Sequence, residues 1–255
     1  MTDWTGAVLV TGGARRVGAA ICEALADAGI PVVIHANGNL AAAEALATQL
    51  RARGASAAAV QADLADSAAC GQLLARAQSA IGQPVTGLVN NASTFEGDEA
   101  ADFTDASWDL HFDVNLKAPA ILARDLAAAL PDGLTGSVVN LVDMRVFKLT
   151  PAFFTYTLSK AGLATATRTL AQALAPRVRV NGVAPGPTLR NVRQAEADFQ
   201  KQVDATLLGT GSPPDEIARA VLFLLQARAV TGQLLAVDGG QSLIWRTPDV
   251  DGIVE

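Results

Sequence analysis

The stretch A-V-L-V-T-G-G-A-R-R-V-G, residues 7–18, decides the fold of this chain. Its apolar start predicts a buried strand, a glycine-rich turn follows, and a helical pattern then continues through Ala28. A second apolar run at residues 31–35 completes a strand–helix–strand unit of the kind that builds parallel sheets. The amides of the turn and the positive end of the helix dipole can face a pyrophosphate, although Gly12, Gly13 and Gly18 would equally allow close packing of strand and helix.

The same alternation continues along the rest of the chain. It predicts further strands near residues 56–61, 87–90, 137–142, 177–180 and 233–237, and helices near 40–53, 67–80, 105–129, 152–175 and from Pro213 onward. About seven strands with crossover helices predict a Rossmann-type, doubly wound parallel sheet with helices on both faces. No linker interrupts residues 1–255, so we expect one α/β domain. The irregular stretches 91–104 and 183–211 follow strand ends, where such sheets bind ligands.

Composition excludes several classes of function. A formal net charge of −6 disfavours nucleic acid and anionic membranes as main partners. No apolar run approaches the roughly eighteen residues needed to span a bilayer. Cys22 and Cys70 lack the spacing of a disulfide framework and no signal sequence is recognisable, so we expect a reducing compartment, the cytoplasm. No set of metal ligands is predicted.

The candidate catalytic residues follow from spacing. Tyr156 is the only tyrosine of the chain and lies four residues before Lys160 in a helical pattern. Residues four apart share a helix face, so the ammonium is expected to lower the phenol pKa and to equip the phenol for proton transfer. Asp143 directly follows the apolar strand that ends at Val142. A carboxylate there could bind a polar substrate or relay a proton, or it could simply cap a turn.

The residues after the second strand bear on the choice of dinucleotide. An acidic residue at that point usually selects a cofactor without a 2′-phosphate, but residues 35–39, H-A-N-G-N, contain none. Arg15 lies in the phosphate loop, where its guanidinium can pair with a 2′-phosphate or remain a solvated surface charge. The sequence therefore favours NADP(H) over NAD(H).

Together these residues resemble the short-chain dehydrogenase/reductase family over nearly the whole chain. The matching pieces are Thr11-Gly12 to Gly18, Asp63-Leu64, Asn90-Asn91-Ala92, Asn115, Tyr156-x-x-x-Lys160, Pro185-Gly186 and Val237-Asp238-Gly239-Gly240. The resemblance implies that Asp63 and Leu64 bracket the adenine, that Asn91 and Ala92 line the ribose side of the cofactor, and that Lys160 holds the nicotinamide ribose. Asn115 would hold a water that joins Lys160 to solvent. The implied cofactor contacts are Gly12, Arg15, Arg16, Val17, Gly18, His35, Asn37, Asp63, Leu64, Asn91, Ala92, Ser93, Lys160, Pro185, Gly186 and Thr188.

Departures from the common family pattern indicate a subgroup. Arg16 replaces a glycine of the phosphate loop, Ser93 replaces the glycine after Asn-Asn-Ala, and Asp143 stands where most members have a catalytic serine. All three departures, with a phenylalanine at the position of Phe95, resemble the pteridine reductases. The resemblance implies that Phe95 and the nicotinamide sandwich a pterin, that Arg16 reaches toward pterin and phosphate, and that Asp143 binds the pterin edge beside Tyr156.

The resemblance therefore implies an NADPH-dependent reductase that transfers hydride to a C=N bond of a pterin, dihydropterin or dihydrofolate. One alternative is a carbonyl reductase, such as a 3-oxoacyl thioester reductase; another is an NADP(H)-binding protein without catalysis. Residues 37–39 lack the phosphate-gripping side chains common in the subgroup, so Arg15 and His35 are expected to compensate. A homotetramer built on the helices near 105–129 and 152–175 is also implied. His111, Trp4 and Trp108 are predicted to serve packing or the surface.

Overall fold

Strands and helices alternate through residues 4–190, 194–247 and 251, which are the residues described by the computed structural model. The strands are β1 Ala7–Val10, β2 Val32–Ala36, β3 Ala57–Gln61, β4 Val85–Asn90, β5 Gly136–Leu141, β6 Val178–Pro185 and β7 Leu234–Val237. The helices are α1 Arg16–Asp27, α2 Leu40–Ala52, α3 Ser67–Ile81, α4 Asp105–Phe112, α5 Ala118–Ala129, α6 Phe154–Leu174, α7 Glu196–Asp204 and α8 Pro214–Gln226.

All seven strands lie in one parallel sheet with the order β3-β2-β1-β4-β5-β6-β7. The order reverses between β1 and β4, which places a crevice at the carboxyl ends of these two strands. Both faces of the sheet are covered, because Val8 and Val10 pack in one core cluster while Ala7 and Leu9 pack in another. The predicted doubly wound α/β fold is confirmed.

Polar side chains begin several of the helices at the places that the sequence pattern indicates. Asn39 accepts the Ala42 amide before α2, Asp66 accepts the Ala68 and Ala69 amides before α3, and Thr104 accepts the Ser107 amide before α4. Each cap satisfies amides that the first helical turn leaves without a partner. Among the described residues, no helix is both long enough and apolar enough to cross a membrane.

Two segments differ from the sequence-based prediction. The helix predicted over 105–129 contains a π-helical turn at Asp113–Lys117 between α4 and α5. The stretch 183–211, predicted as irregular, instead continues β6 through Pro185 and contains α7, with residues 191–193 outside the described part. The reason for the longer strand is tertiary: Gly182 pairs with Leu234 of β7, whose side chain fills the space beside the glycine.

Candidate active site

A cavity of about 720 Å³ opens at the carboxyl ends of β5 and β6. Its volume falls in the range of small-molecule sites. Aromatic, charged and backbone groups from five parts of the chain converge on it. The lining residues used below are Arg16, Phe95, Asp143, Arg145, Phe153, Tyr156, Pro185, Gly186 and Thr188. The structure thus brings together residues that are far apart in sequence, and the motifs single out all of them except Arg145 and Phe153.

The phosphate loop is tied to the strand next to it. The Thr11 hydroxyl accepts the backbone amides of Asn91 and Ala92, each at 3.0 Å, and the Asn91 side-chain amide donates to the Thr11 and Gly12 carbonyls. Gly18 packs so closely that a Cβ would lie 2.2 Å from the Gly12 carbonyl oxygen. Asn91 and the glycines therefore hold the loop in a shape that leaves the start of α1 facing the crevice.

His35 has a different role from the predicted one. Its side chain is 1% exposed; Nδ1 accepts the Gly12 amide at 3.1 Å and Nε2 lies 3.0 Å from the Ala62 carbonyl oxygen. Burial lowers its pKa, which favours the neutral ring. Because both ring nitrogens are engaged inside the fold, His35 does not offer a cation to a 2′-phosphate, and that expectation is corrected. It instead fixes the phosphate loop from beneath.

Arg16 crosses from the phosphate loop to the far side of the cavity. Its backbone adopts φ of 55°, in the left-handed region that favours glycine. Its guanidinium donates to the carbonyls of Leu189 at 3.0 Å and Arg190 at 3.2 Å. These hydrogen bonds hold residues 189–190 against the phosphate loop. The left-handed backbone of Arg16 costs on the order of 1 kcal/mol, which indicates a functional reason for an arginine at this position.

The predicted adenine-side residues lie at the carboxyl ends of β2 and β3. Arg15, Asn37 and Asp63 are exposed, whereas Leu64 is buried. The Asp63 carboxylate accepts the Ala65 amide at 3.0 Å. Arg15, the residue before α1, is an exposed cation of the phosphate loop, as is Arg16.

Asp143 and Tyr156 form a direct hydrogen bond at the wall of the cavity. The Tyr156 hydroxyl donates to Asp143 Oδ2 at 2.8 Å. Arg145, which the sequence reasoning missed, donates its backbone amide to Asp143 Oδ1 at 2.8 Å and its Nη1 to Oδ2 at 3.2 Å. Asp143 thus caps a turn, as one reading predicted, and also presents a carboxylate to the cavity. The carboxylate acts as an acceptor in every one of these contacts.

The expected effect of Lys160 on the phenol is not what the structure gives. Burial and the Asp143 carboxylate raise the pKa of Tyr156 well above its usual value. The Lys160 ammonium donates to the Leu141 carbonyl at 2.8 Å and lies 5.8 Å from the centre of the Tyr156 ring. Burial lowers the pKa of Lys160 to about 8. The phenol is therefore kept protonated, which suits a proton donor.

Asn115 lies in the π-helical turn between α4 and α5 and is completely buried. Its Oδ1 accepts the Ser93 hydroxyl at 3.0 Å and the Thr94 amide at 2.9 Å, while its Nδ2 donates to the Ser159 hydroxyl at 3.1 Å. The extra residue of the π turn sets this side chain toward α6 and the loop after β4. Asn115 thus joins the loop of Ser93 to the helix of the catalytic candidates.

Phe95 lies against two other aromatic rings. It stacks on Phe153 with 4.4 Å between ring centres and meets the Tyr156 ring edge-on at 4.7 Å. The Arg145 guanidinium lies 5.5 Å from the Phe95 ring centre and 5.3 Å from that of Phe153. Phe153, just before α6 in a left-handed conformation, was not predicted. Its spacing of three residues from Tyr156 is the signal that could have found it.

Another wall of the cavity comes from the end of β6 and the residues that follow it. Pro185, Gly186 and Thr188, which the resemblance implies as cofactor contacts, line the cavity. The Gly186 amide donates to the Val237 carbonyl at 3.1 Å, and the Thr188 hydroxyl donates to the Gly186 carbonyl at 3.0 Å. Among the described residues, no cluster of His, Cys, Asp and Glu side chains could hold a metal ion.

Comparison with known proteins places this site in a family. Residues 12–242 match the family model described as enoyl-(acyl carrier protein) reductase. A relative from Picea abies, described as a short-chain type dehydrogenase/reductase, is 31% identical over 91% of this chain and 91% of its own length. The chain belongs to the short-chain dehydrogenase/reductase family. In this short-chain dehydrogenase/reductase, Tyr156 and Lys160 share one face of α6, as their spacing predicts.

Two further relatives of this short-chain dehydrogenase/reductase are named for different activities. The structure of FolM alternative dihydrofolate reductase 1 from Brucella suis, in complex with NADP, is 51% identical, covers 96% of this chain and 98% of that chain, and has a TM-score of 0.92. The 3-oxoacyl-[acyl-carrier-protein] reductase FabG of Staphylococcus epidermidis is 30% identical over 91% of this chain and 97% of its own length. The identity is thus higher to the dihydrofolate reductase.

Proposed function

We propose that this enzyme uses NADPH to reduce a C=N bond of a pterin, dihydropterin or dihydrofolate. The observation that carries the proposal is the Asp143 carboxylate, 2.8 Å from the Tyr156 hydroxyl in a cavity that the Phe95 ring also lines. A flat heteroaromatic ring can stack on Phe95 and turn an N–C–N donor edge toward the carboxylate. The NADP-bound dihydrofolate reductase relative supports the same substrate class.

The phosphate loop fits NADP(H). The close approach of Gly18 to Gly12 removes side-chain bulk where a pyrophosphate would lie, and among the described residues no side chain caps the first turn of α1. Arg15 is exposed at the same end of the helix, so its guanidinium would meet a 2′-phosphate. Lys160 would hold the nicotinamide ribose, Asn91 and Ala92 would line the ribose side of the cofactor, and Gly186 would lie by the nicotinamide.

The chain's own residues provide the proton and the alignment. When bound, NADPH supplies a hydride for the carbon of the C=N bond. Tyr156 gives its phenolic proton to the nitrogen and is reprotonated from solvent, while Asp143 accepts hydrogen bonds from the amino edge of the substrate. Arg145 holds the Asp143 carboxylate in place through its amide and its guanidinium. Arg16 would reach the pterin and the cofactor phosphate from the opposite wall.

Carbonyl reduction is the alternative, supported by the FabG relative and by the Tyr156 and Lys160 pair. The geometry of Asp143 argues against it. A carboxylate that accepts bonds from both Tyr156 and Arg145 has no proton to offer a developing alkoxide.

We also infer a cytoplasmic enzyme of one domain that assembles as a homotetramer. Cys22 and Cys70 are buried free thiols, which suits a reducing compartment. Leu110 of α4 and Leu158 of α6 expose more than a third of their surface, and Phe223 of α8 and Leu235 of β7 do so on another face. Two exposed apolar faces support two kinds of subunit contact.

A panel of substrates tests the proposal. The purified protein is mixed with NADPH and, in turn, with dihydrobiopterin, dihydromonapterin, dihydrofolate and an acetoacetyl thioester, and the loss of NADPH absorbance is followed. We expect kcat/KM for at least one pterin or folate to exceed that for the thioester by about ten-fold or more. Turnover of the thioester alone would favour carbonyl reduction, and NADPH binding without turnover of any compound would favour a non-catalytic protein. The Tyr156→Phe variant controls for substrate-independent NADPH loss.

A further inference from the structure

His111 lies at the centre of a buried polar network next to the site. The sequence predicted a packing or surface residue; the side chain is completely buried, and both ring nitrogens also have polar partners. Nε2 accepts the backbone amide of Glu96 at 3.1 Å, and Nδ1 lies 2.7 Å from the Thr155 hydroxyl oxygen. One partner belongs to the loop after β4 and the other to α6, so the ring joins two segments that carry site residues.

The partners determine the tautomer of the ring. Because Nε2 accepts an N–H, the proton of the neutral imidazole must be on Nδ1, which donates to the Thr155 hydroxyl. That hydroxyl in turn donates to the Asp98 carboxylate through a short hydrogen bond. Burial lowers the pKa of His111 and so favours this neutral ring, while the Asp98 and Glu96 carboxylates act in the opposite direction. Each group therefore donates to the next, from the Glu96 amide through His111 and Thr155 to the Asp98 carboxylate.

Asp98 closes the network on the start of α6. Its carboxylate also accepts the Thr155 amide at 3.0 Å and the Ser107 hydroxyl at 2.7 Å, and its carbonyl accepts the Phe154 amide at 3.1 Å. These bonds satisfy the first amides of α6 from the loop rather than from the helix itself. The loop and the first turn of α6 are thereby held as one unit.

The network has site residues directly beside it in sequence. Glu96 directly follows Phe95. Thr155 lies two residues after Phe153 and directly before Tyr156. The rings of Phe95 and Tyr156 lie only 4.7 Å apart, edge to face, and the His111 ring meets that of Tyr156 at 6.0 Å. A shift of the loop by a fraction of this distance would misplace the stacking surface relative to the proton donor.

We propose that His111 is a positioning residue that, through the Glu96 amide and the Thr155 hydroxyl, sets the spacing between Phe95 and Tyr156 and thereby the fit of the flat substrate. This inference rests on the proposed function, because the substrate is the ring that stacks on Phe95. His111 acts through its two partners, not through the reacting atoms. Its loss should therefore weaken substrate binding far more than cofactor binding.

Three variants and one control separate positioning from general stability. His111→Phe keeps a ring of similar size but removes both hydrogen bonds, whereas His111→Gln restores an acceptor toward the Glu96 amide. Thr155→Val removes the link between the ring and Asp98. Thr86→Val is the matched control, because Thr86 is equally buried and its hydroxyl donates to the Thr5 carbonyl at the opposite end of the sheet.

The first measurement is the KM for the dihydropterin and the Kd for NADPH. We expect His111→Phe, which removes both hydrogen bonds of the ring, to raise the KM at least about ten-fold, with the Kd for NADPH within about two-fold. His111→Gln should recover most of this loss, Thr155→Val should change KM in the same direction, and Thr86→Val should leave it unchanged. A dihydropterin KM that stays within two-fold of wild type in folded His111→Phe and Thr155→Val would overturn the proposal.

The second measurement needs no substrate, so it separates failure of this inference from failure of the proposed function. Amide hydrogen exchange of residues 94–99 should be at least about five-fold faster in His111→Phe than in Thr86→Val, while β1 and β4 stay protected in both. If wild type turns over no pterin but this difference is found, the network holds and the proposed function fails. Equal exchange in the two variants would overturn the role of His111 whatever the substrate.

Discussion

Replacing Asp143 by serine discriminates between pterin and carbonyl reduction. The carboxylate accepts the Tyr156 hydroxyl and the Arg145 amide, each at 2.8 Å, and its side chain is 15% exposed. Bonds from a substrate amino edge would thus form with a charged acceptor that is largely shielded from water. Such a charge-assisted bond contributes about 1.5–3 kcal/mol, which corresponds to roughly 10- to 150-fold in kcat/KM.

The expected result of Asp143→Ser is therefore a loss of at least about ten-fold in kcat/KM for dihydropterins. The substitution would also leave the Arg145 guanidinium without its carboxylate partner, which adds to the loss of activity. For a ketone the same change supplies a neutral donor next to Tyr156, so activity should rise slightly or stay the same. Asp143→Ser therefore lowers activity toward a pterin but does not lower it toward a ketone.

The assay is the loss of NADPH absorbance with a dihydropterin and with an acetoacetyl thioester, for wild type, Asp143→Ser and Asp143→Asn. Asparagine keeps the shape of the side chain and removes its charge, so it shows how much of the loss is electrostatic. The Kd for NADPH serves as the control for folding and should change little. An Asp143→Ser enzyme that reduces ketones better and loses no pterin activity would refute the assignment.

The remaining predictions concern other residues of the site. Tyr156→Phe should remove nearly all turnover and leave the Kd for NADPH within a few-fold, because the ring stays and the proton donor is lost; more than about a tenth of wild-type kcat would contradict this role. Arg15→Gln should raise the KM for NADPH far more than the KM for NADH, since the guanidinium has a 2′-phosphate partner only in the former; equal changes would show a surface charge. Burial lowers the pKa of Lys160 from 10.5 in the unfolded chain to about 8 in the folded one. Between pH 8 and 10.5 the folded chain therefore binds fewer protons than the unfolded chain, so the free energy of unfolding rises with pH in this range. Below pH 8 the buried ammonium is charged and its full cost to stability is present. Lys160→Met should therefore be more stable than wild type at pH 7, by at most about 3 kcal/mol, and the loss of the hydrogen bond to Leu141 reduces this gain. The difference in the free energy of unfolding, measured with denaturant, should shrink toward about pH 10. A difference that is independent of pH would contradict the lowered pKa of Lys160.

Local patterns in the sequence predicted the parts of the protein that depend on residues close together in the chain. Strand and helix periods identified the doubly wound sheet, because alternating apolar runs have few other ways to bury both faces. The turn before α1 and the spacing of Tyr156 and Lys160 are likewise properties of one helix or one turn. Asp143 could be singled out because strand ends in such sheets meet at the ligand-binding edge.

Other features of the site depend on contacts that no local pattern reports. The sequence suggested that His35 binds phosphate, yet the fold buries it, because its ring faces Gly12 and Ala62, 23 and 27 residues away. The sequence suggested that Lys160 lowers the phenol pKa, yet burial and Asp143 raise it, since desolvation depends on everything packed around the ring. His111 reaches Thr155 across 44 residues. The sequence by itself determined the fold and the kinds of groups at its edge, and the tertiary structure decided which are exposed, which are charged and which hold the others in place, because solvent exclusion and long-range hydrogen bonds exist only once the chain is packed.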